Sequence, residues 1–274
     1  MDNYEAVPLT DPASRTRIIG VSSGKGGVGK SSTTVNLAAA WAQRGKSVAV
    51  IDADVYGFSV PKMLGITAAP GLVDDKIIPP SAYGVKVISM GSFADDDQPI
   101  VWRGPMLHKA LQQFVTDVTW GPLDVVLIDL PPGTGDVAIS MAQLLPRSET
   151  VVVTTPQPAA QRVAQRSALM ARKVRLAVVG VIENMSWFTG NDGTRYELFG
   201  AGGGAKLADS LEVPLLGQIP FVPAVREGAD DGVPAVAADP ESEVARAYAA
   251  VIDALEAIAP RRRYRSELSI SADG

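Results

Sequence analysis

The sequence predicts an α/β fold: a single doubly wound, mainly parallel sheet with helices on both faces. Three observations lead there. Short apolar runs of the kind that fill buried strands alternate with helical patterns nearly throughout the chain. A Gly-rich segment, Gly24-Lys25-Gly26-Gly27-Val28-Gly29-Lys30-Ser31-Ser32, stands between the first apolar run and the first helix. With 274 residues, 46% of them hydrophobic, the chain is long enough to bury one substantial core.

The elements follow in order. Arg17 to Ser22 reads as a strand on Ile18, Ile19 and Val21, and Ser31 to Gln43 as an Ala- and Leu-rich helix stopped by Gly45. Ser47 to Asp52 (SVAVID), Asp124 to Asp129 (DVVLID), Thr150 to Thr154 and Leu176 to Ile182 (LAVVGVI) are buried-strand runs, with Leu215 to Ile219 a shorter one. Pro105 to Phe114, Val137 to Leu145 and Pro158 to Lys173 carry helical patterns. Asp239 to Ile258 reads as a final helix, with Pro240 at its first position and Pro260 just past its end. Ile77 to Ser89, broken by Pro79, Pro80 and Gly84, reads as an antiparallel hairpin on the rim. No internal repeat and no interdomain linker is evident. The expected organisation is a mobile lead-in over residues 1–16, one domain over 17–260 and a solvated basic tail over 261–274. That tail carries Arg261, Arg262, Arg263 and Arg265 around Tyr264.

Composition excludes several function classes. A net charge of −5 does not favour a nucleic-acid backbone or an anionic membrane. Met1 to Arg17 is polar and interrupted by Pro8 and Pro12, unlike a signal peptide, and no apolar run is long enough to span a bilayer. Ser266 to Gly274 supplies no apolar face for an interfacial helix. The expectation is a cytoplasmic protein with neither nucleic acid nor membrane as partner. The chain contains no cysteine, which rules out disulfides, thiolate metal sites and a cysteine nucleophile.

The Gly-rich segment has the form G-x-x-x-x-G-K-[ST], with an extra lysine, Lys25, after its first glycine. Between a strand and a helix N-terminus it makes a phosphate cradle. Successive backbone N–H groups point inward and the helix dipole adds positive potential. Lys30 reaches the terminal phosphates and the Ser31 hydroxyl ligates Mg²⁺. Asp52-Ala53-Asp54 ends the second strand at the carboxyl edge, where open α/β sheets place ligands. Asp129 ends DVVLID with the form of a Walker B aspartate. It runs into Leu130-Pro131-Pro132-Gly133-Thr134-Gly135-Asp136, a segment shaped to sense a γ-phosphate. Three aspartates after strands, following a phosphate loop, point to Mg-nucleotide chemistry on a P-loop NTPase type of fold.

The pair Lys25 and Lys30 makes the "deviant" Walker A found in the MinD and ParA class of ATPases. More specifically, the chain resembles the Mrp-type ATPases, the iron–sulfur cluster carriers. GKGGVGKSS, DADVYGFSVPKMLG, PIVWRGPM, DLPPGTGD, ENMSWF and IPFVPAVREG carry the resemblance, over about residues 17–260. It implies a homodimeric ATPase with ATP at the subunit interface and iron–sulfur assembly or client proteins as partners. By resemblance, Gly24, Lys25, Gly26, Gly27, Val28, Gly29, Lys30, Ser31, Ser32 and Gly133 surround the phosphates. Ser31 and, through water, Asp129 hold Mg²⁺, with Asp52 supporting the metal shell. Asp54 orients the attacking water, with Asp136 next in line. Lys25 reaches across the dimer to the partner's phosphates. Asn184 reads adenine, and Pro220 packs near the base.

The departure from that family is equally informative. Its members usually carry Cys-x-x-Cys shortly after the Asn-Met-Ser-aromatic segment, where this chain reads Thr189-Gly190-Asn191-Asp192-Gly193-Thr194. Gly190 and Gly193 stand at the two cysteine positions, so the chain lacks the thiolates on which a cluster depends. Asn-Asp-Gly reads as a turn. The small N-terminal domain that many members carry is not expected in a chain beginning so close to its phosphate loop. Gly200 to Ala205 reads as a Gly-rich helix entry rather than a second nucleotide fingerprint. His108, the sole histidine, reads as a surface or packing residue. Trp102-Arg103-Gly104-Pro105 reads as either a packing corner or a switch contact. Two other functions fit the same motifs: a nucleotide-switched positioning or adaptor protein in the MinD and ParA manner, and a small-molecule kinase or synthetase.

Overall fold

A computed structural model of the chain describes residues 9–11, 14–55, 57–93, 104–133 and 135–260. Most of the expected lead-in, Trp102, Arg103, Thr134 and the basic tail lie outside the described residues. Strand β1 (Arg17–Ser23) runs through the Gly-rich loop into helix α1 (Lys30–Gln43), and β2 (Val48–Asp52) follows. The short α2 (Val60–Met63) precedes an antiparallel ribbon of β3 (Gly71–Val73) and β4 (Lys76–Ile78), then β5 (Ser81–Ala82) and β6 (Val85–Ser89). Four helix–strand alternations complete the sheet. They are α3 (Gly104–Thr116) and β7 (Val125–Asp129), α4 (Asp136–Leu144) and β8 (Glu149–Thr154), and α5 (Pro158–Lys173) and β9 (Ala177–Glu183). A small ribbon of β10 (Phe188–Thr189) and β11 (Arg195–Tyr196) leads to the last of them, α6 (Gly203–Ser210) and β12 (Leu215–Gln218). The chain closes with α7 (Pro223–Asp231), α8 (Ala235–Ala238) and α9 (Glu243–Ala257).

The sheet order is β12-β9-β8-β1-β7-β2-β6-β5, parallel except for the β5–β6 edge pair. β1 lies centrally, so the order reverses on either side of it and a crevice opens at its carboxyl end. Alternate strand residues feed opposite faces. Ile18, Ile51, Ile128 and Val152 pack with Leu111, Phe114, Met141 and Ala168 beneath α3, α4 and α5. Ile19, Val50, Leu127 and Val151 pack with Leu37, Trp41, Tyr248 and Ile252 beneath α1 and α9. The doubly wound architecture expected from the apolar runs is the one observed.

Two elements differ from expectation. The final helix begins at Glu243, not near Asp239: Ser242 is its N-cap, accepting from the Ala245 N–H at 3.2 Å, and Pro240 stands in the preceding turn. A serine offers a side-chain acceptor that Pro240 lacks, and it decides the start. The Ile77 to Ser89 stretch is not one hairpin. Its first part pairs with β3, β5 and β6 form the antiparallel edge, and β6 continues the main sheet parallel to β2.

Candidate nucleotide site

The Gly-rich loop wraps the N-terminus of α1 at the carboxyl end of β1. Gly29 is the N-cap, at φ 82°, in the left-handed region that glycine enters without strain. A side chain there would also collide with the Nδ2 of Asn184. Asp129 and Asp52 are register partners at the ends of β7 and β2, which brings both carboxylates to the same edge.

The acidic residues and the loop meet. Lys30 Nζ lies 2.7 Å from Asp129 Oδ2 and 3.5 Å from Asp54 Oδ2. Ser31 donates to Asp129 Oδ2 at 2.6 Å, and Thr34, one turn further along α1, donates to Oδ1 at 2.7 Å. Asp129 is fully buried; Lys30 and Asp54 are nearly so. Three donors therefore hold a carboxylate that burial alone would disfavour. Asp52 lies deeper. Its Oδ2 accepts from the Ser59 and Val60 amides and from Ser89 Oγ, at 3.1, 3.2 and 3.2 Å, and its Oδ1 accepts from the Asp54 amide at 3.3 Å. Burial, then the nearby Asp129 charge, push Asp52 up to about 7, against the Val60 and Asp54 amides and Lys30.

Above this cluster opens a cavity of about 480 Å³. Lys25, Gly26, Gly27, Gly29, Lys30, Ser31, Ser32 and Asp54 line it, joined by Gly57, Ser59, Met63, Pro132 and Met185. Lys25 is half-buried on that lining. The cavity's volume suits a small ligand, and its wall combines polar donors of the loop with the side chains of Met63 and Met185.

The remaining candidates lie around the cavity rather than on its wall. Gly24 and Val28 are buried in the loop's base, Gly24 against Ala164 of α5. Gly133 donates to the Ser23 carbonyl at 2.8 Å, tying the segment after β7 to β1. Asn184 turns its amide to the loop, with Nδ2 donating to the Val28 carbonyl at 2.9 Å. Pro220 is buried next to Ile219, and Asp52 is the floor beneath Asp54. Asp136 lies near Gly104, at the start of α3, rather than with Lys30. His108 Nδ1 is 3.1 Å from Ser140 Oγ, a packing contact between α3 and α4. Gly202 caps α6, as a Gly-rich helix entry requires. Sequence reasoning missed Thr34, Met63 and Met185. Thr34 was signalled by its four-residue spacing from Lys30, which puts both on one helix face. Met63 and Met185 had no such sign.

A family model described as ParA, NUBPL iron-transfer P-loop NTPase, matches residues 14–256. The chain belongs to that family. An iron–sulfur cluster carrier protein of Mycobacterium tuberculosis is 52% identical to this ParA/NUBPL-type chain over 273 residues, covering 97% of it and 71% of the relative. Among solved structures, a nucleotide-binding protein from Archaeoglobus fulgidus in complex with ADP superposes with a TM-score of 0.71. It is 33% identical over 83% of this chain and 89% of its own. The cell division ATPase MinD of Pyrococcus furiosus gives 0.69 at 27% identity, over 89% and 99%.

Within this ParA/NUBPL-type chain, the β10–β11 ribbon holds the positions where the resemblance expected cysteines. Its turn is closed: the Gly190 amide donates to the Thr194 carbonyl at 2.9 Å, and Asp192 accepts from the Thr194 amide and hydroxyl. Gly193 sits at φ 79°, where any other residue is strained. Glu243 holds the ribbon's base, accepting from Trp187 Nε1, Thr189 Oγ1 and Arg195 at 3.0, 3.0 and 3.2 Å. Neither the residue types nor this turn fits an iron–sulfur cluster. Among the described residues no group of three or more His, Asp or Glu side chains is placed to hold a metal alone. Among the described residues no helix is long and apolar enough to cross a membrane.

Proposed function

We propose that this chain binds Mg²⁺-ATP and hydrolyses it as a cytoplasmic homodimer, an ATPase of the iron–sulfur carrier type without cluster ligands of its own. The observation that carries this reading is the meeting of Lys30, Ser31, Asp54 and Asp129 at the mouth of α1, beside the cavity. The loop amides and the α1 dipole receive the phosphates. Lys30 exchanges the Asp129 carboxylate for phosphate oxygens, one anion for another. Ser31 Oγ and Asp129 would hold Mg²⁺, which neutralises charge on the phosphate oxygens. Asp54, on the cavity wall, orients the attacking water. Asp52 supports it from below by fixing the backbone from Asp54 to Val60. Lys25 acts on the partner subunit's phosphates, and phosphoryl transfer needs no further covalent group. Clients are iron–sulfur assembly proteins, and any cluster is cargo for which this chain provides no thiolate.

The absence of cysteine favours a second reading, a nucleotide-switched adaptor in the MinD and ParA manner. The deciding experiment measures phosphate release from ATP by the purified chain and by Asp54→Asn, with light scattering for dimers and iron and sulfide analysis after anaerobic purification. Release without added substrate, slowed in Asp54→Asn, supports an ATPase over a kinase or synthetase. No release from the parent chain rejects the proposal. Stoichiometric iron and sulfide would reject its cluster-free part.

A further inference from the structure

Glu183 is the last residue of β9, and its carboxylate is completely buried. Three separate elements donate to it. Gln218 Nε2, at the end of β12, reaches Oε1 at 2.6 Å, and Ser186 Oγ reaches the same oxygen at 3.0 Å. The Gly204 amide, in the first turn of α6, donates to Oε2. All three donors are neutral, so the group is held by hydrogen bonds and the α6 N-terminus rather than by a counter-ion. An apolar side chain would fill the space without that desolvation cost. The carboxylate fixes direction instead, since it ties α6, β12 and the turn after β9 to one point.

The next residue is Asn184. Its backbone amide donates to the Thr154 carbonyl at 2.8 Å, and Nδ2 donates to Val28 of the phosphate loop. The Glu183 carbonyl accepts from the Ile219 amide and the Ile219 carbonyl from the Ser186 amide, at 2.8 and 3.0 Å. Met185 follows in the left-handed region, at φ 58°, and lines the cavity. A carbonyl such as that of Val28 only accepts, so the Asn184 amide must turn its nitrogen toward it. The acceptor oxygen Oδ1 is then the group left for a ligand. Adenine carries an N–H donor at C6, whereas guanine carries an oxygen there, which would set acceptor against acceptor.

We infer that Glu183 is a positioning residue for base selection: it fixes the turn after β9 so that Asn184 offers an acceptor and the site prefers ATP to GTP. This rests on the reading above, in which the nucleotide lies in this loop with Asn184 beside its base.

The test is equilibrium competition of ATP and GTP, each with Mg²⁺, against a fluorescent ATP analogue, with thermal melts of every variant. The parent chain should prefer ATP. Glu183→Ala and Asn184→Ala should each lower that preference about tenfold, the scale of one well-placed hydrogen bond. The double variant should lose little more than either single one, because both act through one contact. Glu183→Gln should keep the preference. Its oxygen accepts from Gly204 while its amide faces a turned-over Gln218, so a loss equal to that of Glu183→Ala would point to charge and overturn positioning. A folded Glu183→Ala with unchanged preference, beside an altered Asn184→Ala, overturns the inference alone. A merely structural role gives that result, a lower melting temperature with the ATP to GTP ratio intact. An unchanged Asn184→Ala overturns both Asn184's part and the inference. Absence of nucleotide binding by the parent chain overturns the proposed function itself. Should Glu183→Ala fail to fold, Gln218→Leu removes one donor from the same carboxylate, and an unchanged ratio there overturns the inference equally.

Discussion

Lys30 Nζ stands 2.7 Å from Asp129 Oδ2, with Ser31 Oγ 2.6 Å from the same oxygen, so one buried carboxylate holds both groups that a nucleotide phosphate and its metal require. The loop is held by an internal anion, which the nucleotide phosphates of the proposed function would replace. Lys30 and Asp129 are each out of water, so under the proposed function the same pair would couple stability to binding.

Lys30→Ala should therefore do two things. It should abolish measurable ATP binding or turnover, and it should destabilise the nucleotide-free protein by about 3 kcal/mol, the scale for a buried pair broken on one side. Adding Asp129→Asn should recover part of the stability and none of the binding. Calorimetric titration with Mg²⁺-ATP and denaturant melts check both. Unchanged affinity removes the phosphate-loop assignment, and unchanged melting removes the counter-ion role.

Much of this arrangement was legible in the sequence because it depends on local chemistry. A phosphate loop needs glycines, a lysine and a hydroxyl at fixed spacing, and strands buried on both faces read as apolar runs ending in Asp52 and Asp129. What sequence could not give depends on distant partners. Nothing in ENMSWF shows that Asn184 reaches Val28, 156 positions away, or that Glu183 gathers Gly204 and Gln218. Met63 and Met185 reach the cavity only through the fold. The start of the final helix was misread because Pro240 and Ser242 both signal an N-terminus, and only the cap hydrogen bond chooses between them.

Asp52 gives a pH dependence with a definite sign. Its folded-state value of about 7 lies above the ordinary 3.8, chiefly through burial and secondly through Asp129. The folded state thus holds this proton more tightly than the unfolded state. The stability it contributes is fully present below about pH 4 and is lost as pH rises toward and through about 7. Melting temperatures of the protein without nucleotide or Mg²⁺, taken from pH 5 to 8, should fall more steeply for the parent than for Asp52→Asn. Equal slopes would mean that Asp52 is already ionised across that range.

Reconstitution with iron and sulfide under anaerobic conditions should give no [4Fe–4S] chromophore that survives gel filtration, since the chain has no thiolate. Installing cysteines at Gly190 and Gly193 should cost about 1–2 kcal/mol at Gly193 alone, from its left-handed backbone. A stoichiometric cluster on the parent chain would show that other ligands serve.

Lys25 and Lys30 sit on one loop and should behave differently. Lys30 opens α1 and points into its own subunit's acidic cluster, whereas Lys25 lines the cavity, half-buried between the buried Gly24 and the exposed Gly26. If Lys25 acts across a dimer, its charge matters chiefly when two ATP-bound subunits face each other. Lys25→Ala should then keep much of its nucleotide affinity while losing turnover and ATP-dependent dimerisation. Charges supplied in trans contribute on the order of 10³–10⁵ in rate, which sets the upper scale of the loss. Asp54→Asn should bind ATP and stall. In a mixed dimer of the two variants, the site on the Lys25→Ala subunit has its own intact Asp54 and its partner's Lys25, while the other site lacks both. Mixing two nearly inactive proteins should thus restore part of the activity, toward one working site per mixed dimer. Mixed dimers demonstrated by differential tagging that show no recovery would place Lys25's action within its own subunit.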